Sequence, residues 1–256
     1  MNILLSPRLK KIAELIRPQA AVVDVGCDHG YLAAYLLQEN ITGNVTATDI
    51  NAGPLESARR TLKRVYAMPH KNKHSTNESV KLMLTDGLDG INETDDVVIA
   101  GMGGELISGI LEKAAEKSEV LSKPGIRLIL QPMTRTAELR RYLLTKKFAS
   151  GSYGNFSGGF EIVDEFAVTE GRKSYIIILA QTTVGKPESL ISERQLQMLC
   201  HGGLIAYKTD SAAQQYAQSY YEKLSIIAQS KNEKSEYYRD ILRGLKELPA
   251  YKKLRS

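Results

Sequence analysis

Val23-Asp24-Val25-Gly26-Cys27-Asp28-His29-Gly30-Tyr31-Leu32 is the stretch on which the fold turns. Residues 20–25 form a short apolar run closed by glycine, and residues 31–39 carry a helical pattern. Gly26 to Gly30 is therefore a tight strand-to-helix connection. Upstream, Leu9, Ile12, Ala13 and Ile16 fall at helical spacing until Pro18 stops them. Downstream the same alternation recurs. Residues 44–49 read as strand and 54–66 as helix, 80–84 as strand, 96–100 as strand with 105–117 as helix, and 126–130 as strand with 137–147 as helix. Strands alternating with helices predict a parallel sheet of the α/β class. The runs 161–169 and 174–180 are separated only by Glu170-Gly171-Arg172-Lys173, so the sheet is predicted to end in an antiparallel hairpin.

Lys186-Pro187 divides the chain into a sheet domain, residues 1–185, and a strand-poor tail, residues 186–256. In the tail, residues 189–200, 211–229 and 233–248 read as helices. Ala213, Tyr216, Tyr220, Leu224 and Ile227 make one apolar stripe, and Tyr237, Ile241 and Leu245 make a second. Facing stripes predict an αα-hairpin, coiled-coil-like, packed on the sheet domain or projecting from it. The glycine-rich stretch 151–159 is expected to be a surface loop.

Composition narrows the classes. The chain has 256 residues, 43% hydrophobic and 25% charged, which excludes pervasive disorder. Two cysteines, Cys27 and Cys200, are too few for a disulfide framework or a four-thiolate zinc site, and a cytoplasmic setting is expected. The longest apolar runs fall far short of the roughly 18 to 20 residues of a membrane span, and residues 1–7 carry no leader pattern. His70 and His74 share a helical spacing, but Lys71 and Lys73 repel a cation and no third ligand stands near, so no metal is expected. A net charge of +5 permits a polyanionic partner without requiring one. Oligomeric state is not legible, with a monomer as the working expectation.

The candidate site lies outside the carboxyl ends of the strands, where parallel sheets bind nucleotide-like ligands. A dinucleotide loop would read G-x-G-x-x-G, cradling a pyrophosphate on backbone amides. Here the middle glycine is missing, and Asp28 places negative charge where a phosphate would approach. S-adenosylmethionine carries a sulfonium cation and no phosphate, so the pattern favours it over NAD. Asp49, with Ile50 beside it, ends the second strand where a carboxylate accepts from both ribose hydroxyls. Asp86-Gly87 follows the third strand, within reach of an adenine amino group. Each aspartate taken alone also suits a turn or a helix cap. Gly101-Met102-Gly103-Gly104 is expected as a turn that points amides into the crevice, or else as close helix–sheet packing. Gln131 offers an amide to a base edge, or caps the next helix.

Together these residues carry a resemblance. Leu5-Ser6-x-Arg8-Leu9, Asp24-Val-Gly-Cys-Asp28-His29-Gly-Tyr31-Leu32, Asn51-Ala-Gly53-Pro54, Asp86-Gly87-Leu88, Ile99-Ala-Gly-Met-Gly-Gly104 and Leu128-Ile-Leu-Gln131-Pro132, in this order, resemble the TrmK family of bacterial tRNA (adenine(22)-N(1))-methyltransferases. The resemblance implies a class I methyltransferase-like, Rossmann-like fold with a helical C-terminal extension, S-adenosyl-L-methionine as donor (S-adenosyl-L-homocysteine as product) and tRNA as acceptor. It matches Asp24, Gly26, Asp49 and Asp86 to the cofactor, and Asp28, His29 and the 101–104 turn to the reaction centre; Cys27, Gly30, Ile50, Gly87, Gly101, Met102 and Gly103 are further candidates for contact with the cofactor. Three positions depart from the expected pattern: Gly30 for alanine, Cys27 for serine or threonine, and Met133 for asparagine.

N1 of adenine already bears a lone pair, so transfer needs in-line placement more than a strong base. A carboxylate beside the ring would stabilise the charge that develops, and Asp28 is the candidate, also accepting from the exocyclic amine. His29 contacts the base or holds Asp28, and Tyr31 stacks on a base or joins the core. N1 lies on the pairing edge, so the base must leave its helix and the phosphates around it must be gripped. Candidate cations are Arg8, Lys10, Lys11 and Arg17 on the first helix, then Arg59, Arg60, Lys63, Arg64, Lys71 and Lys73, and Lys252, Lys253 and Arg255 at the end. Tyr221, Tyr238 and Tyr251 lie off the tail stripes and are candidates for RNA contact. The competing readings are a non-catalytic RNA-binding protein that keeps the pocket, and a methyltransferase acting on another RNA.

Overall fold

The computed structural model describes residues 2–66, 80–117, 119–148, 158–185, 192–230 and 234–252. Apolar residues alternate along short strands and turn to both faces of one sheet. From β1 (Val22–Val25), β4 (Asp96–Gly103) and β5 (Arg127–Thr134), the side chains of Val23, Val97, Ile99 and Leu128 enter one core with Leu111 and Leu139. Val22, Val98 and Ile129 enter the opposite core with Ile12, Leu36 and Ala58. Helices α1 (Pro7–Leu15), α2 (Tyr31–Gln38) and α3 (Ala52–Tyr66) cover that second face, and α4 (Gly104–Lys117) and α5 (Thr136–Thr145) the first. This is the three-layer arrangement that a doubly covered parallel sheet requires.

With β2 (Val45–Asp49), β3 (Lys81–Leu84), β6 (Lys147–Phe148), β7 (Gly158–Glu170) and β8 (Lys173–Val184), the sheet has eight strands in the order β3-β2-β1-β4-β5-β8-β7-β6. The first five are parallel. The β7–β8 hairpin joins antiparallel to β5, as the short 170–173 connection predicts. Chain order reverses beside β1, which has β2 on one side and β4 on the other, so a crevice opens above its carboxyl end.

Two expectations need correction here. Residues 101–103 are not a turn: β4 continues through Gly103, paired to β5 as far as Thr134 with bulges at Ala100/Met102 and Met102/Gly103, and α4 opens at Gly104. Gly158 and Gly159, assigned to a surface loop, begin β7; residues 151–157 lie outside the described residues.

The tail is helical as read, with α6 (Glu193–Gly202), α7 (Ser211–Gln229) and α8 (Ser235–Leu245). α6 opens on a capping box between Ser192 and Gln195, and α7 on Asp210, whose carboxylate accepts from the Ala213 N–H. α7 and α8 form the αα-hairpin, with Leu224 and Ala228 against Ile241, Leu242 and Leu245. The α7 stripe is shifted from the one read in the sequence: Ala217 and Ala228 are buried, whereas Ile227 is 38% exposed. Tyr251, a candidate for RNA contact, is 1% exposed in the tail core, because the chain after α8 turns back onto α7 in a 3-10 turn. The hairpin lies on the sheet, with Ile205, Ala213 and Tyr216 completing the core of β4 and β5. A buried ion pair ties the two parts. Arg140 of α5 donates from Nε to Glu165 of β7 at 2.7 Å and from Nη1 to the Cys200 carbonyl at 3.0 Å, while Glu165 accepts from the Ile205 N–H at 2.9 Å.

Candidate active site

The Gly26–Gly30 connection is shaped by its backbone. The N–H groups of Gly26 and Cys27 both donate to the Thr48 carbonyl, at 2.8 and 2.9 Å, and Gly30 N–H closes the turn on the Cys27 carbonyl at 2.8 Å. Three residues are left-handed: Gly26 at φ 73°, Asp28 at φ 49° and Gly30 at φ 66°. A side chain in that region is uncommon, so Asp28 is held where few non-glycine residues sit. Above the connection lies a cavity of about 610 Å³. Four carboxylates from four separate strand ends or loops line it: Asp24, Asp28, Asp49 and Asp86.

Their surroundings differ. Asp24, at the third position of β1, is 6% exposed, and burial pushes its carboxyl up to about 7. Asp28 is the opposite case, its side chain 75% exposed, with His29 Nε2 at 3.6 Å from Oδ1. The His29 ring stands 5.5 Å from that of Tyr31, and both residues line the cavity. Asp49 accepts from the Asn51 N–H at 2.9 Å, which fixes its rotamer at the end of β2, and exposed Ile50 continues the rim. Asp86 receives the Lys113 ammonium at 2.9 Å. Cys27 is no nucleophile: burial first, then the Asp24 and Asp49 charges, push its thiol up to about 12.

The glycines divide into two groups. Gly26, Gly87 and Gly101 line the cavity; a β-carbon would stand 2.2 Å from the Met102 methyl carbon at Gly26 and 2.9 Å from an Ile110 methyl at Gly87, while at Gly101 it would make only an ordinary contact with Arg8 Nη1 at 3.7 Å. Gly30 and Gly103 do not line it. At Gly30 a β-carbon would lie 2.7 Å from Ala58 Cβ, so the departure from alanine serves contact between the connection and α3.

Gln131 is fully buried and turned inward. Its Oε1 accepts from Arg8 Nη1 at 2.5 Å and from the Gly101 N–H at 3.1 Å, and its amide donates to the Pro132 carbonyl at 2.9 Å. The Gln131 side chain therefore sets the wall behind the cavity and presents no edge to it. Arg8 does line the cavity, gripped by Gln131 and lying over the Tyr175 ring at 5.2 Å. Arg17, grouped in sequence with the phosphate contacts, is instead held by the buried carboxylate of Asp96, Nε to Oδ1 at 2.7 Å, because it follows the end of α1 and faces the start of β4. Arg59, Arg60, Lys63 and Arg64 are exposed on α3 outside the cavity, Arg59 pairing with Glu56. Tyr221 and Tyr238 are half-buried against the tail core. His70, Lys71, Lys73, His74, Lys253 and Arg255 lie outside the described residues.

Residue reading missed Thr48, Leu106 and Ile110 as lining residues; Met133, noted as a departure from the family pattern, lines the cavity as well. Leu106 and Ile110 sit one turn apart on the first turns of α4, a signal available once that helix is placed next to the Gly-Met-Gly-Gly segment. Among the described residues, no helix is long and apolar enough to cross a membrane, and no three His, Cys, Asp or Glu side chains are grouped to hold a metal ion.

The cavity and its sheet have relatives. A family model described as a methyltransferase domain matches residues 5–178. The tRNA (adenine(22)-N(1))-methyltransferase of Bacillus subtilis is 30% identical over 242 residues, covering 91% of this chain and 90% of that protein. A putative tRNA methyltransferase of Mycoplasma pneumoniae is 31% identical over 195 residues, 74% of this chain and 77% of that one. Among solved structures, a putative tRNA (m1A22) methyltransferase of Streptococcus pneumoniae in complex with S-adenosyl-L-methionine superposes with a TM-score of 0.72 at 27% identity, covering 97% of this chain and all of that one.

Proposed function

From the chain's membership of the tRNA (adenine(22)-N(1))-methyltransferase family, to which it belongs over nearly its whole length, we infer that it moves a methyl group from S-adenosyl-L-methionine to N1 of an adenine in tRNA. The observation that carries the reading is the convergence of Asp24, Asp28, Asp49 and Asp86 on one cavity whose loop lacks a phosphate-binding glycine pattern. The residues fit the donor. A buried carboxylate pushed up to about 7 calls for a cationic partner, and Gly26 and Gly87 leave space where a β-carbon would crowd the wall. Asp49 is placed to accept from ribose hydroxyls and Asp86 from an adenine amine, with Ile50 at the rim. Bound there, the donor supplies an electrophilic methyl carbon on a sulfonium.

The chain's own part is placement. Asp28, exposed at the cavity mouth, accepts from the exocyclic amine of the target base and faces the positive charge that the ring acquires. His29 stands beside that carboxylate, Nε2 at 3.6 Å, and Tyr31, half-exposed next to it, offers a stacking face. Arg59, Arg60, Lys63 and Arg64 present cations to the phosphates from α3. The protein works in the cytoplasm, where tRNA is the acceptor; residues 1–185 carry the transfer site and the α3 cations, and residues 186–256 form the helical domain packed on the sheet.

Asp28→Asn tests the assignment. With unmodified bacterial tRNA and labelled donor, the rate is expected to fall by about 100-fold or more, as for loss of one electrostatic stabiliser, while donor affinity by calorimetry stays within about twofold. Mass spectrometry of the digested tRNA should place the methyl on N1 of one adenine. An unmethylated tRNA with the intact protein would leave the reading of a non-catalytic RNA-binding protein, and a methyl found in another RNA would move the acceptor.

A further inference from the structure

A second cavity, about 810 Å³, opens between the carboxyl end of β5, the β7–β8 hairpin and α7. It is contiguous with the donor cavity. Met133 lines both, and the Arg8 guanidinium that lines the first lies over the Tyr175 ring that lines the second. Its walls combine the half-buried rings of Tyr175, Tyr220 and Tyr238 with the cations Arg172, Lys173 and Lys223. Among the described residues, none of these three cations has an ion-pair partner, whereas Arg135 at the same rim is neutralised by Glu138 at 3.0 Å. The Ser174 hydroxyl oxygen in this wall is buried with no hydrogen-bond partner among the described residues. The aromatic floor is rigid: Tyr220 stacks on Tyr216 at 5.9 Å with planes 9° apart, and its hydroxyl is held by His201 Nδ1 at 2.8 Å. Aromatic walls beside unpaired cations are the means by which proteins hold an unpaired nucleotide, base on ring and phosphate on cation.

We propose that this cleft receives a nucleotide of the tRNA adjacent to the methylated adenine, its base between the tyrosines and its phosphate on Arg172, Lys173 and Lys223. This deepens, and rests on, the tRNA-methylating reading. A base drawn out to the donor cavity strains its neighbours in the strand, and a cleft that shares a wall with that cavity holds the next nucleotide where the strain is relieved.

The test uses the full chain and tRNA transcripts assembled by ligation, intact or with one abasic nucleotide directly 5′ or 3′ of the target adenine. Binding is read by fluorescence anisotropy. One of the two abasic tRNAs is expected to bind the wild type about tenfold more weakly, the scale of one lost base–aromatic stack. Ser219→Trp, which fills the cleft from α7, should bind intact tRNA about tenfold more weakly and show no further loss with the abasic one. The triple variant R172A/K173A/K223A should lower the slope of log Kd against log salt by about 0.7, the value for one single-strand phosphate contact. Donor affinity by calorimetry is expected to be unchanged in every variant. Unchanged wild-type affinity for both abasic tRNAs overturns the proposal even if the salt slope falls, since backbone contact alone would then explain the cations. Wild type that fails to methylate the intact transcript removes the underlying reading; methylation with unaltered affinities removes the cleft alone. Should Ser219→Trp lose donor binding through misfolding, the abasic pair and the triple variant still decide.

Discussion

Asp24→Asn should make the protein more stable at alkaline pH and unable to hold its donor. Burial pushes the Asp24 carboxyl up to about 7 from an ordinary 3.8, so the unfolded chain releases this proton more readily than the folded one. Below pH 3.8 both states carry the proton and the site is neutral with respect to stability. As pH rises from there to 7, the unfolded state ionises first, and folding becomes steadily less favourable. Above pH 7 the full cost is present, about 4 kcal/mol at 1.36 kcal/mol for each pH unit separating the two. Asparagine removes the charge at nearly the same volume but leaves a buried amide to satisfy, which reduces the gain by about 1–2 kcal/mol. The variant is therefore expected to exceed the wild type by about 2 kcal/mol at pH 8 and to match it or fall slightly below it near pH 4.

Urea unfolding of both proteins at pH 4, 6 and 8 reads this difference, and subtracting one protein from the other cancels every other titrating group. The donor supplies the complementary readout. A cationic ligand needs the carboxylate ionised, so wild-type donor affinity should weaken towards about tenfold per pH unit below pH 7, with about half a proton released per donor bound at pH 7. Calorimetry in two buffers of different ionisation enthalpy measures that proton. An asparagine variant less stable than the wild type at pH 8, or a donor affinity flat between pH 5 and 8, would refute the reasoning.

Two further outcomes concern the joints of the fold. Glu165→Ala should cost about 3–5 kcal/mol in urea unfolding, because it strands the buried Arg140 guanidinium and takes the acceptor from the Ile205 N–H; a loss under about 1 kcal/mol would mean that the pair is not what seats the tail. Gly104→Ala should cost about 2–3 kcal/mol and Gly103→Ala less than about 1, since a β-carbon at 104 meets the Arg135 carbonyl oxygen at 2.3 Å whereas at 103 it meets only the Thr134 hydroxyl at 3.3 Å; equal losses would contradict the bulged-strand geometry.

Much of this architecture is legible before any coordinates, for a physical reason. Asp49 and Asp86 each close or follow a short apolar run and Asp24 stands one residue from the end of another, so strand periodicity alone carries them to one edge of a parallel sheet. The glycines at 26 and 30 mark the connection but not their separate tasks, since the contact that fills the space at Gly30 comes from Ala58 on another helix. Gly101-Met102-Gly103 reads locally as a turn; it is strand because β5 runs on to Thr134 and offers it a partner, which is information held in a distant segment. Gln131 is similar. A polar side chain at a strand end suggests a ligand contact, but its partner is Arg8, 123 positions earlier. Tyr251 fails by the same principle: it lies beyond the helix read over residues 233–248, and a turn that their periodicity does not include brings it against α7.

The charge layout bears on how RNA and donor share one mouth. Four carboxylates line the donor cavity, against Arg8, which is itself engaged by Gln131. Such a cavity attracts a sulfonium and repels phosphate, so the RNA backbone cannot follow its target base inward. Among the described residues, Arg172, Lys173 and Lys223 stand in the second cleft without ion-pair partners, whereas Lys63 and Arg64 lie in the last turn of α3, by Tyr66, whose hydroxyl accepts from the Val80 N–H at the start of β3. On the seating proposed above, a strand held in that cleft and excluded from the centre reaches the donor through its base alone. On the proposed assignment of Asp28, the acidic centre selects for orientation as well as for the donor: only a base swung out with its sugar-phosphate left behind would bring a ring nitrogen to that carboxylate, and an adenine, with an exocyclic amine to donate, would gain there while a base offering a carbonyl at the same edge would be repelled.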